Sequence, residues 1–390
     1  MSESDLAIVA ALIVVWGATS ARLARVDVTA PIVFVVAGLA LTHGPLAPLG
    51  YQPSNEAIKG LAEITLALVL FCDASRVGLH EIRVDAGLYL RLLGIGLPLT
   101  IGLGTLLALA LPGIANIWFA LVVGAALAPT DAALGAGMMA NPVVPARIRR
   151  LINVESGLND GITTPFVLVA LAGAATTKHV SATQRRGWAA EGFAGSAVLA
   201  LAVCAYASAV VMHGNGFIAA FIGGLAFGTT SGQRGTPLVP FVEEAGALVS
   251  LLLWLAFGAV AVAPAFSNLT WQTVVYALLS LTVIRMIPVA LALLHAHLGW
   301  PTVLFVGWFG PRGLASVVFA LLALEELGKD ALPEVAVISV TVLLSVIAHG
   351  VTAEPLADRY AARLAREAAG PAHAERPELS VRKLTRHKRG

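Results

Sequence analysis

Charge is scarce in this sequence. Only 12% of its 390 residues are Asp, Glu, Lys or Arg, while 58% are hydrophobic; an ordinary soluble domain carries about 25% charged residues. A chain so composed cannot cover its own surface with polar groups, which excludes a soluble enzyme and, by the same apolar excess, a disordered chain. Cysteine is nearly absent: Cys72 and Cys204 are the only two, each inside an apolar run, so there is no disulfide scaffold and no redox framework. The nine His fall at run ends, as with His349, or in loops, without metal-ligand spacing. A phosphate-cradling Gly loop and a basic, aromatic-studded surface are both missing, so neither a nucleotide cofactor nor a nucleic-acid partner is expected.

Long apolar runs fill the space that charge leaves, and the mean hydropathy is +0.84. Crossing the hydrocarbon core takes about 20 apolar residues. Runs of that order lie near 6–23, 28–47, 56–77, 86–111, 114–140, 149–176, 187–213, 216–230, 239–264, 270–296, 300–327 and 332–353. Rich in Ala, Leu, Val and Gly, they read as lipid-packed helices. The expected fold class is an all-α, polytopic membrane protein, residues 1–354 forming one transmembrane domain of about 12 spans. The first run, with Glu3 and Asp5 ahead of it, reads as a span and not as a removed leader.

Basic residues set the expected orientation. Arg22 and Arg25 follow the first run, Arg76 and Arg83 the third, and Arg147, Arg149 and Arg150 the fifth. This places the amino terminus outside. From Pro355 onward the sequence holds nine of the 25 Lys and Arg, and residues 355–390 are expected to be a disordered cytoplasmic tail.

The chemistry should lie where ionisable or helix-breaking residues interrupt the runs, because such groups are costly in lipid and mark a water-filled path or a buried pair. In Ala128-Pro129-Thr130-Asp131, Pro129 lacks an amide donor and disfavours helix at Ala128. The run should break there, with Thr130 and Asp131 opening a second half-helix; a simple proline kink is the plainer reading. Gly310-Pro311-Arg312-Gly313 repeats the device. Two interrupted runs in corresponding places of the two halves point to an inverted-repeat transporter with its site at the midplane. Asp131 is expected at a positive helix end and Arg312 at a negative one.

Between the two breaks, at helical spacing, Glu155 pairs on one face with Asn159 and Ser156 with Asp160, giving one polar wall. Burial disfavours an ionised carboxylate and a cation at its oxygens favours one, so cation and proton compete for such a group. Glu155 could instead neutralise a buried arginine such as Arg285 or Arg312. A rival reading makes Asp131 and Asp160 the dyad of an intramembrane aspartyl protease. Their Thr, Ser and Asn neighbours suit hard-oxygen cation coordination better.

These motifs, with Asn215-Gly216-Phe217-Ile218-Ala219-Ala220-Phe221, resemble the signatures of the monovalent cation:proton antiporter-1 family of prokaryotic Na+/H+ antiporters over nearly all of residues 1–355. The resemblance implies Asp160 as shared cation and proton carrier, with Asn159, Ser156, Thr130 and Asp131 around it. Na+ would be held at Asp160, Ser156 and Thr130, with K+ or Li+ as alternative cations. It also implies a structural ion pair of Glu155 with Arg285 near the site, broken helices at Pro129, Gly310, Pro311 and Gly313, alternating access, and a homodimer in membrane lipid. Asn159 in place of a second Asp resembles the electroneutral subset. The family pattern has thirteen spans. Here the charge rule makes the two halves disagree by one crossing, and about one helix is missing near Lys178, Arg185 and Arg186. An abnormal connection is expected there.

Overall fold

The computed structural model describes residues 3–23, 29–44, 46–47, 51, 54–76, 85–135, 138–139, 141–176, 194–212, 214–235, 239–267 and 269–368. Among these residues the fold is all-helical, with no strand. The connection over Lys178 to Arg186 and residues 369–390 lie outside them.

The helices are α1 (Glu3–Leu23), α2 (Ala30–His43), α3 (Asn55–Arg76), α4 (Ala86–Ala108), α5 (Ile117–Ala126), α6 (Ala146–Thr176), α7 (Ala194–Val211) and α8 (Gly216–Gly235). They continue with α9 (Val239–Ser267), α10 (Trp271–Ala292), α11 (Trp300–Trp308), α12 (Leu314–Leu327) and α13 (Leu332–Ala368). Helix α5 starts where Asn116 Oδ1 accepts from the Trp118 and Phe119 amides, and α8 where Asn215 does the same for Phe217 and Ile218. In α4 and α9, single π turns, Leu92–Gly96 and Gly258–Val262, precede Pro98 and Pro264. Proline removes the amide that would continue the ladder, and the widened turn absorbs the gap.

The helices pack as two bundles. In the first, α3 lies against α7, α8 and α9, α2 lies against α9, and α1 joins through the Trp16–Phe34 edge contact. Helices α2 and α9 cross closely at Gly38 and Gly258: a Cβ on either would lie 2.1 or 2.2 Å from a carbonyl oxygen of the other helix. In lipid, where apolar surface gives helices no reason to associate, such close backbone packing is what holds them. The second bundle is α4–α6 with α10–α13, arranged so that α5 contacts α4, α6 and α13, and α10 contacts α13 and α11. Along the seam between the bundles α3 meets α6 and α12, α8 meets α6, and α9 meets α12 and α13.

The tail boundary expected at Pro355 is displaced. Helix α13 continues through Ala368, because Leu356, Tyr360 and Leu364 form an i, i+4 apolar stripe that packs on the second bundle. Tyr360 stacks on Phe305 at 4.2 Å and shares a 2.9 Å hydrogen bond with Thr302. Composition averaged over residues 355–390 hides that stripe.

Candidate ion-binding site

Two chain segments leave their helices and cross inside the second bundle. Helix α5 ends at Ala126 ahead of Pro129, and α11 ends at Trp308 ahead of Pro311; α12 then begins at Leu314. The breaks touch directly: the Asp131 amide donates to Pro311 O at 2.8 Å. A helix end leaves backbone groups unsatisfied, donors at the start and acceptors at the finish. Each break supplies what the other lacks. Asp131 Oδ2 accepts the Leu314 amide, at the positive end of α12, at 3.2 Å. The Arg312 guanidinium donates to Ala128 O at 3.1 Å and Pro129 O at 3.4 Å, past the negative end of α5, and to Ser280 O at 3.3 Å. Opposite charges thus sit at the dipole ends that favour them. Beyond Asp131 the chain makes only a 3-10 turn, Ala132–Gly135, so the residue caps α12 rather than opening a long half-helix of its own. A Cβ on Gly313 would fall 2.3 Å from Asp131 Oδ2, and one on Gly310 2.6 Å from Arg285 Nε. Only glycine admits the crossing.

Helix α6 supplies the wall beside the breaks. Ser156 Oγ donates to Thr130 O at 2.5 Å and accepts the Ala132 amide at 2.9 Å. Asn159 Oδ1 accepts the Thr130 amide at 3.3 Å, and its Nδ2 donates to Thr130 Oγ1 at 2.7 Å and Glu155 Oε1 at 3.4 Å. These bonds satisfy backbone groups that the broken helix would otherwise leave bare in the membrane. Arg285 of α10 forks onto Glu155, with both N–O distances 2.9 Å and both side chains buried. Arg312 stays out of that pair and serves the α5 carbonyls.

Asp160 differs from its neighbours. Its side chain is 6% exposed, and Oδ1 is buried with no hydrogen-bond partner among the described residues. One helical turn places Gly157, Asp160 and Gly161 on a common face of α6. A Cβ on Gly157 would lie 3.1 Å from Asp73 Cβ of α3, and one on Gly161 2.8 Å from the Phe221 ring of α8. Asp160 is therefore on the side of α6 that faces the first bundle. Hydrogen bonds join Thr130, Glu155, Ser156 and Asn159; Asp160 lies one turn beyond Ser156 on α6, and Asp131 and Arg312 sit at helix ends beside them.

Sequence reasoning missed the part of the site that α13 contributes. Ser345 Oγ accepts the Arg312 amide at 2.7 Å, His349 Nε2 lies 2.9 Å from Trp308 O, and Thr352 Oγ1 accepts Trp308 Nε1–H at 3.1 Å. Expected at a run end, His349 is instead fully buried mid-helix. The signal was available as a polar stripe at i, i+4 and i+7 in an otherwise apolar run.

A family model described as "Sodium/hydrogen exchanger, transmembrane" matches residues 8–202 and 191–359. Among solved structures, the fold is similar to that of the sodium proton antiporter MjNhaP1 from Methanocaldococcus jannaschii at pH 8, with a TM-score of 0.69 and 15% identity over 92% of this chain and 98% of that one. An electron-microscopy structure of the same antiporter aligns at a TM-score of 0.68 and 18% identity over 91% and 97% of the two chains. Among curated protein sequences nothing matches.

Proposed function

This chain belongs to the sodium/hydrogen exchanger family and is thus a multi-pass cation:proton antiporter, not an enzyme; on that premise we propose that it exchanges Na+ for H+ one for one, with Asp160 as the carboxylate both ions use. The observation that carries this reading is the buried Asp160 Oδ1, without a hydrogen-bond partner among the described residues, on the face toward the other bundle. A membrane-buried oxygen left without a donor has an unmet demand that a proton or a small hard cation satisfies.

Charge bookkeeping supports the stoichiometry. Glu155 and Arg285 cancel as a fork, Asp131 and Arg312 are opposite charges on one crossing, and Asn159 is neutral. Of the charges on the crossing and its α6 wall, Asp160 is left uncancelled, with Asp73 of α3 facing the same side of α6; if Asp160 alone exchanges its ion, one Na+ or one H+ neutralises it and a cycle that swaps them moves no net charge. Ser156 and Thr130, now bonded to one another, are oxygens that would turn toward a bound Na+, with Asp131 behind them. The antiporter would act by alternating access, one bundle moving against the other, as a homodimer in the cell membrane with its amino terminus outside. A K+ or Li+ exchanger is the alternative within this reading. The aspartyl-dyad reading is disfavoured because Asp131 is committed to the Leu314 amide.

Proteoliposomes carrying a pH-sensitive dye test the proposal. Raising the proton concentration tenfold on the Na+ side should raise the half-saturating Na+ concentration by up to about tenfold, as competition for one group requires. A Na+ affinity indifferent to pH would mean separate sites. Acceleration of the flux by an imposed membrane potential would contradict one-for-one exchange, and larger flux with K+ would reassign the cation.

A further inference from the structure

Helices α4 and α6 leave an open groove between them. Its walls are Gly87, Leu90, Leu93 and Gly94 of α4 with Leu158 and Ile162 of α6, and its volume is about 560 Å3, within the roughly 300–1,000 Å3 of pockets that hold small ligands. At about 100° per residue, Leu158 and Asp160 point in nearly opposite directions from α6. The groove and the exchanged ion therefore do not share a face. Glycine makes the space: nothing lies within 4 Å of where a Cβ on Gly87 would stand, and beside Gly94 only the tip of Leu90 comes near, at 3.7 Å. Leu90 itself is 74% exposed, and in a membrane such surface meets acyl chains.

One end of the groove is charged. Asp85, directly ahead of α4, accepts Arg147 Nε and Nη2 at 2.9 and 2.6 Å and lies 3.8 Å from Arg150 Nη2. Arg147 stands about three turns before Leu158 on the same face of α6, which sets this cluster at the end of the slot. Arg149 lies beside them with its Nη1 on Met139 O at 3.1 Å, so three arginines surround one carboxylate. Arg150 is the least committed of the three: 3.8 Å is beyond hydrogen-bond reach, and its buried Nε has no partner among the described residues. Surplus guanidinium donors suit a phosphate, and basic pockets between transmembrane helices at the membrane face bind anionic head groups. From Arg150 to Ile162 α6 rises roughly 18 Å, about the depth of one leaflet of a roughly 30 Å hydrocarbon core.

We propose that this groove binds an anionic phospholipid from the leaflet at the Asp85 end of α4 and α6, with an acyl chain along Gly87, Leu90 and Gly94 and the phosphate on Arg147 and Arg150. A free anion would leave the apolar slot unused, and a lipid without net charge would leave the arginines in surplus. Neither Asp160 nor the choice of cation enters this assignment, so it is tested without ion flux.

The purified protein in neutral detergent should be given phosphatidylglycerol, phosphatidylcholine or inorganic phosphate in turn, and followed by native mass spectrometry and melting temperature. Phosphatidylglycerol should be retained about tenfold more tightly than phosphatidylcholine, the equivalent of one charged hydrogen bond, and should raise the melting temperature. Arg150→Gln spares the close Arg147–Asp85 bridge, and should remove that tenfold preference. Gly87→Leu combined with Gly94→Leu fills the slot and should abolish retention of both lipids. Gly102→Leu, at an equally open glycine of α4 outside the groove, should behave as wild type. If the filled variant does not fold, as judged by size exclusion, the lipid ranking of wild type and Arg150→Gln decides. Equal retention of the two lipids by wild type, an equal melting shift from inorganic phosphate alone, or a folded filled variant that binds as wild type would each overturn the proposal.

Discussion

The two bundles are held together by different physics. The first, around α3 and α9, is joined by small residues and apolar side chains: α2 and α9 touch backbone to backbone at Gly38 and Gly258, and Phe34, Leu66, Leu70, Trp254 and Phe257 are buried there. In the second, α6, α10, α12 and α13 bury Glu155, Ser156, Asn159, Asp160, Arg285, Arg312, Ser345 and His349. Apolar contacts are forgiving of small shifts. Buried hydrogen-bonded charges are not, because every displaced partner leaves an unsatisfied group in a low-dielectric interior. The first bundle is thus suited to serve as a frame, and the second to adopt discrete arrangements around an ion.

The sharpest way to break this comparison is to remove the buried carboxylate of the second bundle whose Oδ1 has no hydrogen-bond partner among the described residues. Asp160→Asn should abolish Na+-dependent proton flux while the protein remains monodisperse in detergent, because an amide cannot alternate between holding a proton and balancing a cation. The same variant should stay folded, since no described hydrogen bond to the side-chain carboxylate is lost. Substantial residual flux would remove Asp160 from the mechanism.

Next in size is the Glu155–Arg285 fork. Glu155→Ala leaves Arg285 buried and uncompensated, a loss of about 3–5 kcal/mol for a broken buried pair, to be read as lower yield and a lower melting temperature. A stable Glu155→Ala protein with altered cation preference would instead make Glu155 a ligand. The matched insult in the first bundle is Gly38→Val. Its added Cβ meets the Leu255 carbonyl oxygen at 2.1 Å, and overpacking of this kind costs about 1–3 kcal/mol. It should reduce the folded fraction and leave the half-saturating Na+ concentration of the surviving protein unchanged.

Much of the second bundle was legible in the sequence because lipid makes polar residues conspicuous. Pro129, the Gly310-Pro311 pair and the Glu155 to Asp160 stretch stand out in apolar runs for one reason: each is too costly to keep there without a task. Which groups pair was legible only in part. Asp131 bonds the amide of Leu314, a residue far away in sequence; that Arg285 rather than Arg312 reaches Glu155 followed from the family resemblance and not from the residues themselves, because both arginines sit in similar apolar runs. Composition ends the last apolar run at 353, short of the end of helix α13, because residues 355–390 taken together are polar and basic. The Leu356, Tyr360 and Leu364 stripe holds the helix together past that point. His349 was misplaced by the same error, since a helix thought to stop near it makes a buried histidine look like a terminal one.

The smallest expected effect lies where the bundles meet away from Asp160. Lys59, near the start of α3, lies 2.6 Å from Glu325 and 3.3 Å from Glu326 at the end of α12. Asp73 lies about four turns further along α3, roughly 20 Å away at 1.5 Å per residue, so this bridge ties the bundles at the opposite end of α3 from the carboxylate that faces Gly157. The groups are partly exposed, with side-chain exposures of 23% for Lys59 and 27% and 42% for the two glutamates, and such pairs contribute about 0.2–1 kcal/mol. Lys59→Gln should leave folding intact. If the bridge holds only one of two arrangements of the bundles, the substitution shifts their ratio by up to about fivefold, the equivalent of that energy. Half-saturating Na+ measured separately from the two sides of oriented proteoliposomes should then move in opposite directions. Raising the salt concentration should mimic the substitution in wild type and do little to the variant, because screening weakens exposed pairs. Unchanged affinities on both sides would mean that the pair is carried along by the motion and that the seam is held by its helix–helix packing without help from this bridge.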